Sequence, residues 1–126
     1  MRTYKCINCG KEAIWSHQKV NKYCSNQCQK QYETKKRIKQ WLNEGISWKH
    51  QTPTWAKNYL IEQRGYACEV CKTETWMDKK ITLEVDHIDG HHYNNTEDNL
   101  RLICPNCHSQ TVTYKNKNKG NGREYR

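Results

Sequence analysis

Apolar residues are thinly spread along this chain, and where they gather they follow three short patterns. In QKQYETKKRIKQWLNEG, Tyr32, Lys35, Ile38, Trp41 and Leu42 recur at intervals of three and four. That spacing predicts a helix with one narrow apolar stripe among Lys and Arg, stopped at Gly45. A second helix is expected after Thr52 and Pro53 as N-cap and first residue, carrying Trp55, Tyr59 and Leu60 on one face and closing at Gly65. In ITLEVDHI the apolar positions alternate (Ile81, Leu83, Val85), which predicts a strand. The polar loop DGHHYNNTEDN separates it from a returning strand, LRLIC, and Pro105 opens a short helix in PNCHSQT. Residues 46–52 form a linker without a period, and the tail YKNKNKGNGREYR has almost nothing to bury.

These patterns hold too little apolar surface to fold 126 residues unaided. Apolar residues make up 34% of the chain, that figure counts 8 Cys, and there is no Phe. The fold therefore needs staples. The thiols fall into four close pairs: Cys6 and Cys9, Cys24 and Cys28, Cys68 and Cys71, Cys104 and Cys107. Three pairs have two intervening residues, the spacing at which one tight knuckle turns both sulfurs towards a common ion. The Cys24 and Cys28 spacing suits ligands on the first turn of a helix. Two four-cysteine zinc sites are expected, with a disulfide framework as the alternative. Disulfides need a secreted chain, and MRTYKCINCGKEAIW has no apolar signal core. No run approaches a membrane span, so a cytoplasmic protein is expected. Residues 1–50 read as an N-terminal zinc module of knuckle, hairpin and basic helix, in the treble-clef or zinc-ribbon style. Residues 51–126 read as a second domain.

Charge sharpens the picture. The formal net charge is +9, with 11 Lys and Arg against 3 acids in residues 1–50, 6 against 9 in residues 51–111, and 5 against 1 in the tail. Two zinc ions on eight thiolates lower the working charge to about +5. Basic arms around an acidic centre suit a polyanion, and nucleic acid is the expected partner. An acidic patch inside such a binder calls for a cation, which points to catalysis.

The acidic centre also contains the candidate chemistry. Asp86 and His87 lie between the two halves of the second zinc site, and His108 follows its last Cys. Asp86 and His108 offer one carboxylate oxygen and one imidazole nitrogen, an open ligand set for a divalent ion. By the period of two, His87 faces away from Asp86 and is free to act as a base on water. The Asn99 amide has both a donor and an acceptor with which to tie the loop or the His87 backbone. Arg101 is a candidate phosphate contact, as are Lys115, Lys117, Lys119 and Arg123 in the tail. Trp41 and Trp55 read as core residues. Trp15, Trp48 and Trp76 have no period, and any of them is free to stack on bases.

The run LEVDHIDGHHYNNTEDNLRLICPNCHSQT, preceded by GYACEVC, resembles the HNH endonucleases, in particular small zinc-bearing ones of bacteriophages and bacteria. The resemblance covers about residues 53–122. It implies a ββα-metal fold, with His87 as general base, Asp86 and His108 as ligands of a catalytic divalent ion, and Asn99 as the central Asn of the motif. The ion implied is Mg²⁺ or Mn²⁺, with Ni²⁺ or Zn²⁺ as alternatives. It further implies hydrolysis of DNA, expected to be double-stranded, leaving 5′-phosphate and 3′-hydroxyl ends, in a bacterial or phage-infected cell. Many members have a Pro shortly after the Asp-His pair, where this chain has Gly90. His91 and His92 are extra imidazoles, read as loop or phosphate contacts or as aids at the metal. The whole is expected to be a small, zinc-stabilised α+β protein, monomer or homodimer. The rival reading is a non-catalytic zinc-finger protein that binds DNA or RNA, which has no use for Asp86, His87 and His108 together.

Overall fold

A computed structural model describes residues 1–46, 48 and 51–112. It forms two units, Met1–Gln40 and Trp41–Arg126. The tail candidates Lys115, Lys117, Lys119 and Arg123 lie outside the described residues.

The first unit begins with strands β1 (Thr3–Lys5) and β2 (Glu12–Ile14), paired antiparallel with Tyr4 opposite Ala13. The knuckle joining them carries Cys6 and Cys9, and it is closed by Gly10 N–H to the Cys6 carbonyl at 2.8 Å. Helix α1 (Asn26–Glu44) follows, with Cys28 in its first turn as the spacing required. The Ser25 hydroxyl accepts the Cys28 N–H at 3.2 Å, which caps the helix. Cys6 is the single buried residue between Met1 and Gln40. An apolar core does not hold this unit together.

The second unit has such a core. Trp41, at the end of α1, is buried with Ala56 and Leu60 of helix α2 (Thr54–Arg64), with Ile81 and Leu83, and with Leu100, Leu102 and Ile103. Trp48 packs at 5.8 Å from Trp41 and 6.2 Å from Trp55, so its ring is spent on this cluster. Helix α2 starts one residue later than its sequence suggests. Pro53 keeps an extended ψ of 146° and its carbonyl takes the first helical bonds, from Ala56 and Lys57, so Pro53 and not Thr52 is the cap. Gly65 closes α2 at φ 91°, a left-handed conformation that suits Gly.

Among the described residues, three two-stranded sheets make up the β structure. The hairpin of β3 (Thr75–Trp76) and β4 (Lys79–Lys80) was not legible in the sequence, because its turn is Met77 and Asp78 and not the usual Asn or Gly. Both turn residues sit at positive φ, 50° and 65°. Lys80 lies over the Tyr66 ring, while Trp76 is exposed. Strand β5 (Glu84–His87) is shorter than the alternation suggested, and it pairs antiparallel with β6 (Leu100–Ile103). A 3-10 turn, Glu97–Asn99, leads into β6, and helix α3 (Pro105–Ser109) follows it with Pro105 at its first position. The result is a small α+β chain whose β5, β6 and α3 stand in the order the sequence suggested.

Candidate metal centre and active site

Each four-cysteine set closes on a point. The sulfurs of Cys6, Cys9, Cys24 and Cys28 all lie within 4.8 Å of one another, and so do those of Cys68, Cys71, Cys104 and Cys107. Separations of 3.4 Å (Cys24 to Cys28), 3.7 Å (Cys9 to Cys24) and 3.9 Å (Cys71 to Cys104) are far too long for a disulfide, and all eight thiols are free. They match the spacing of about 3.8 Å between sulfurs arranged tetrahedrally about 2.3 Å from one ion.

Within each set the thiols share their protons unevenly. Burial pushes Cys6 up, but the backbone N–H groups of Cys9, Cys24 and Asn8 outweigh it and bring it down to about 6. Burial acts likewise on Cys68, and the N–H groups of Cys71, Cys104 and Val70 bring it to about 6. Cys24 is pushed up to about 12, first by its hydrogen bonds with Cys28 and Cys9 and then by burial. Burial and the neighbouring thiols push Cys107 up to about 12. Some thiols of each set ionise readily and one resists, so full ionisation needs a positive charge at the centre. Both sets could hold a metal ion.

The second set holds the strands in place. Cys104 N–H bonds the Cys68 sulfur at 3.3 Å, Glu69 N–H donates to the Leu102 carbonyl at 2.8 Å, and the Glu69 carboxylate accepts the Leu102 N–H. At the other edge, Arg64 donates to the carbonyls of Leu100 at 2.6 Å and Glu97 at 2.9 Å. With β5 and β6 fixed, α3 turns His108 back over β5.

Asp86 and His108 meet there. Asp86 is buried, its Oδ1 lies 3.4 Å from His108 Nε2, and its Oδ2 accepts from Arg101 Nε at 2.8 Å. Two ligand atoms about 2.1 Å from one ion stand about 3.0–3.4 Å apart, so this pair fits a shared divalent ion. Arg101 thus engages the carboxylate rather than standing apart from it. His108 Nδ1 lies 2.6 Å from Glu84 Oε2. A carboxylate on Nδ1 sets the tautomer whose lone pair is on Nε2. Glu84 was missed in the sequence, although the period of two puts it on the same face as Asp86.

His87, half-buried, sits on the other face, its Nε2 2.7 Å from Asn95 Oδ1. Asn99 does not touch its ring. The Asn99 amide donates to Asp89 Oδ1 at 2.9 Å and to the Asn94 carbonyl at 2.8 Å, its Oδ1 accepts the Asp89 N–H at 3.1 Å, and its backbone carbonyl accepts the Ile88 N–H at 2.8 Å. It therefore laces the two ends of the loop together beside His87. Gly90 makes the tight return, at φ 78° with its N–H on the His87 carbonyl at 2.9 Å. His91 stacks on Tyr93 with ring centroids 5.2 Å apart, and His92 meets Tyr93 edge-on at 5.6 Å.

Asp89 anchors this loop electrostatically. Burial pushes its carboxyl up, but donors from Asn94, the His91 backbone and Asn99, with the nearby His91 imidazole, hold it below the ordinary carboxylate value. A depressed carboxylate stabilises fully above its unfolded value of about 3.9, and that stabilisation is lost as pH falls through the folded value. Asp89→Asn is therefore expected to lower the thermal midpoint by the same amount at about pH 8 and about pH 9, where neither a carboxylate nor an ordinary imidazole changes charge. A loss that differs between them, read by calorimetry, would contradict this account.

Residues 68–112 match the HNH endonuclease family. The matched segment contains the second cysteine set and Asp86, His87, Asn99 and His108. The chain is 50% identical over 66 residues to the H-N-H endonuclease F-TflIV of Escherichia phage T5, a stretch covering 51% of this chain and 29% of that protein. No solved structure matches the chain. No helix among the described residues is long and apolar enough to cross a membrane.

Proposed function

We propose that the chain is a metal-dependent DNA endonuclease that hydrolyses phosphodiester bonds and leaves 5′-phosphate and 3′-hydroxyl ends. The observation that carries the reading is the convergence of Asp86 Oδ1 and His108 Nε2 at 3.4 Å, one residue from His87, on strands stapled by four cysteines. In this reading β5, β6 and α3 are a ββα-metal unit, and Asp86 and His108 hold a divalent ion, Mg²⁺ or Mn²⁺ first among the candidates. When bound, that ion neutralises charge on the scissile phosphate and on the departing 3′ oxygen. His87 takes a proton from the attacking water, the water oxygen bonds phosphorus, the bond to the 3′ oxygen breaks, and solvent protonates that oxygen. Asn99 keeps the His87 loop closed.

Zinc is the ion proposed for both cysteine sets, since four thiolates suit it. The division of labour follows the sequence: residues 1–50 as a zinc module with a knuckle and basic helix, residues 51–126 as the nuclease domain. The substrate proposed is duplex DNA inside a bacterial or phage-infected cell. Its backbone would be gripped by the basic helix, the tail lysines and Arg123, which makes affinity fall steeply with salt.

Supercoiled plasmid incubated with the zinc-loaded protein and Mg²⁺ or Mn²⁺ is expected to be nicked, with ends that a ligase reseals without prior phosphorylation. Metal analysis should give two zinc ions per chain. A protein with both zinc ions that nicks no plasmid with either ion, and binds no Mn²⁺ in titration, would overturn the proposal in favour of a non-catalytic zinc protein.

A further inference from the structure

Within the polar loop between β5 and β6, Asn95 is out of place for an amide. It is 3% exposed, and no partner among the described residues meets its Nδ2. A buried donor left without a partner costs stability, so the side chain must earn its place through its other atom. That atom is Oδ1, 2.7 Å from His87 Nε2. The residue is clamped on both sides. The Asn94 carbonyl before it accepts from Asn99 at 2.8 Å, and its own carbonyl accepts the indole N–H of Trp41, itself 1% exposed.

We propose that Asn95 is the positioning residue for His87, holding its ring so that Nδ1 is the nitrogen that takes the proton from water. The inference rests on the hydrolytic reading above. An amide oxygen only accepts, so His87 Nε2 must carry the hydrogen, and in the neutral ring the lone pair is then on Nδ1. Rotation about the Cβ–Cγ bond is stopped by the same contact. Because Trp41 and Asn99 fix the backbone on either side, Oδ1 cannot follow the ring if it swings. Asn95 itself touches neither substrate nor ion, and acts through His87 alone.

The zinc-loaded full chain tests this with two variants and one spectroscopic signature. Asn95→Leu keeps the branching and heavy-atom count of the side chain but removes the acceptor, and is expected to lower kcat for plasmid nicking by about 10–100-fold with little change in KM. Asn95→Asp keeps an acceptor oxygen and is expected to stay within a few-fold of the parent. In ¹⁵N spectra without the divalent ion, the neutral His87 ring should be the Nε2–H tautomer in the parent and in Asn95→Asp, and a mixture in Asn95→Leu. A parent ring with its hydrogen on Nδ1 would overturn the proposal, as would equal impairment of both variants or none in Asn95→Leu. Should Asn95→Leu fail to fold, the parent tautomer and the Asn95→Asp rate still decide. A parent that cleaves nothing removes the hydrolytic reading, while the tautomer still judges the contact.

Discussion

His87→Ala is expected to lower single-turnover nicking by about 10²–10⁴-fold, the range a positioned general base contributes, while zinc content stays at the parent value and the thermal midpoint falls only by the loss of the one hydrogen bond to Asn95 Oδ1. The structure separates these two outcomes. His87 is half-buried at the end of β5, its ring bonds Asn95, and none of the apolar core depends on it. Truncation therefore removes a proton acceptor without opening a cavity in the core. The backbone contacts that close the loop, from Ile88 N–H and Asp89 N–H to Asn99, do not involve the imidazole. A variant that loses zinc or no longer melts cooperatively would show that the imidazole is structural. A variant that cleaves at the parent rate would show that some other group takes the proton, and His91 and His92 would be the next substitutions to test.

Removing the cysteine-bound metal should have a still larger effect on the fold. Structural zinc in small domains contributes about 10–16 kcal/mol of binding free energy, comparable with or above the whole stability of a typical domain at about 5–15 kcal/mol. In the first unit Cys6 is the single buried residue, so Met1–Gln40 has no apolar core to fall back on. In the second unit Cys68 and Cys104 are themselves buried in the core, packed with Leu100, Leu102 and Ile103. A chelator strong enough to strip both sites is expected to abolish cooperative melting and cleavage together. Cys104→Ser should lose one zinc ion and unfold β5, β6 and α3, leaving the first unit's zinc in place. A metal-free chain that still melts cooperatively near the parent midpoint would mean that packing, and not the ion, holds these strands.

What the linear sequence determined was set by chemistry that works over short distances. Cysteine spacing announced two four-thiol sets, because a knuckle of two residues cannot do much else with its sulfurs. Alternation in LEVDH put Asp86 and His87 on opposite faces, and Pro105 marked the start of α3. The same period of two would have singled out Glu84 as a companion of Asp86. The starts of α2 and α3 were legible to within a residue, while α1 begins three residues before the apolar pattern, and Pro53 moved by one because its carbonyl, and not the Thr52 side chain, takes the first helical bonds.

Tertiary structure alone decided the contacts that couple residues far apart in the chain. Trp41 and Asn95 are 54 positions apart, and their bond exists because Trp41 and the loop are both held in the second unit. Asn99 lies 12 positions after His87 and acts on its loop through Asp89 and Asn94, a route that requires the loop to be closed already. The β3 and β4 hairpin turns on Met77 and Asp78, and Met has no preference of its own for a left-handed turn. Local spacing can say which side chains carry chemistry, since ligand and proton acceptor are properties of residue type. Which oxygen meets which nitrogen depends on how separate segments are packed, and no single stretch of the chain contains that information.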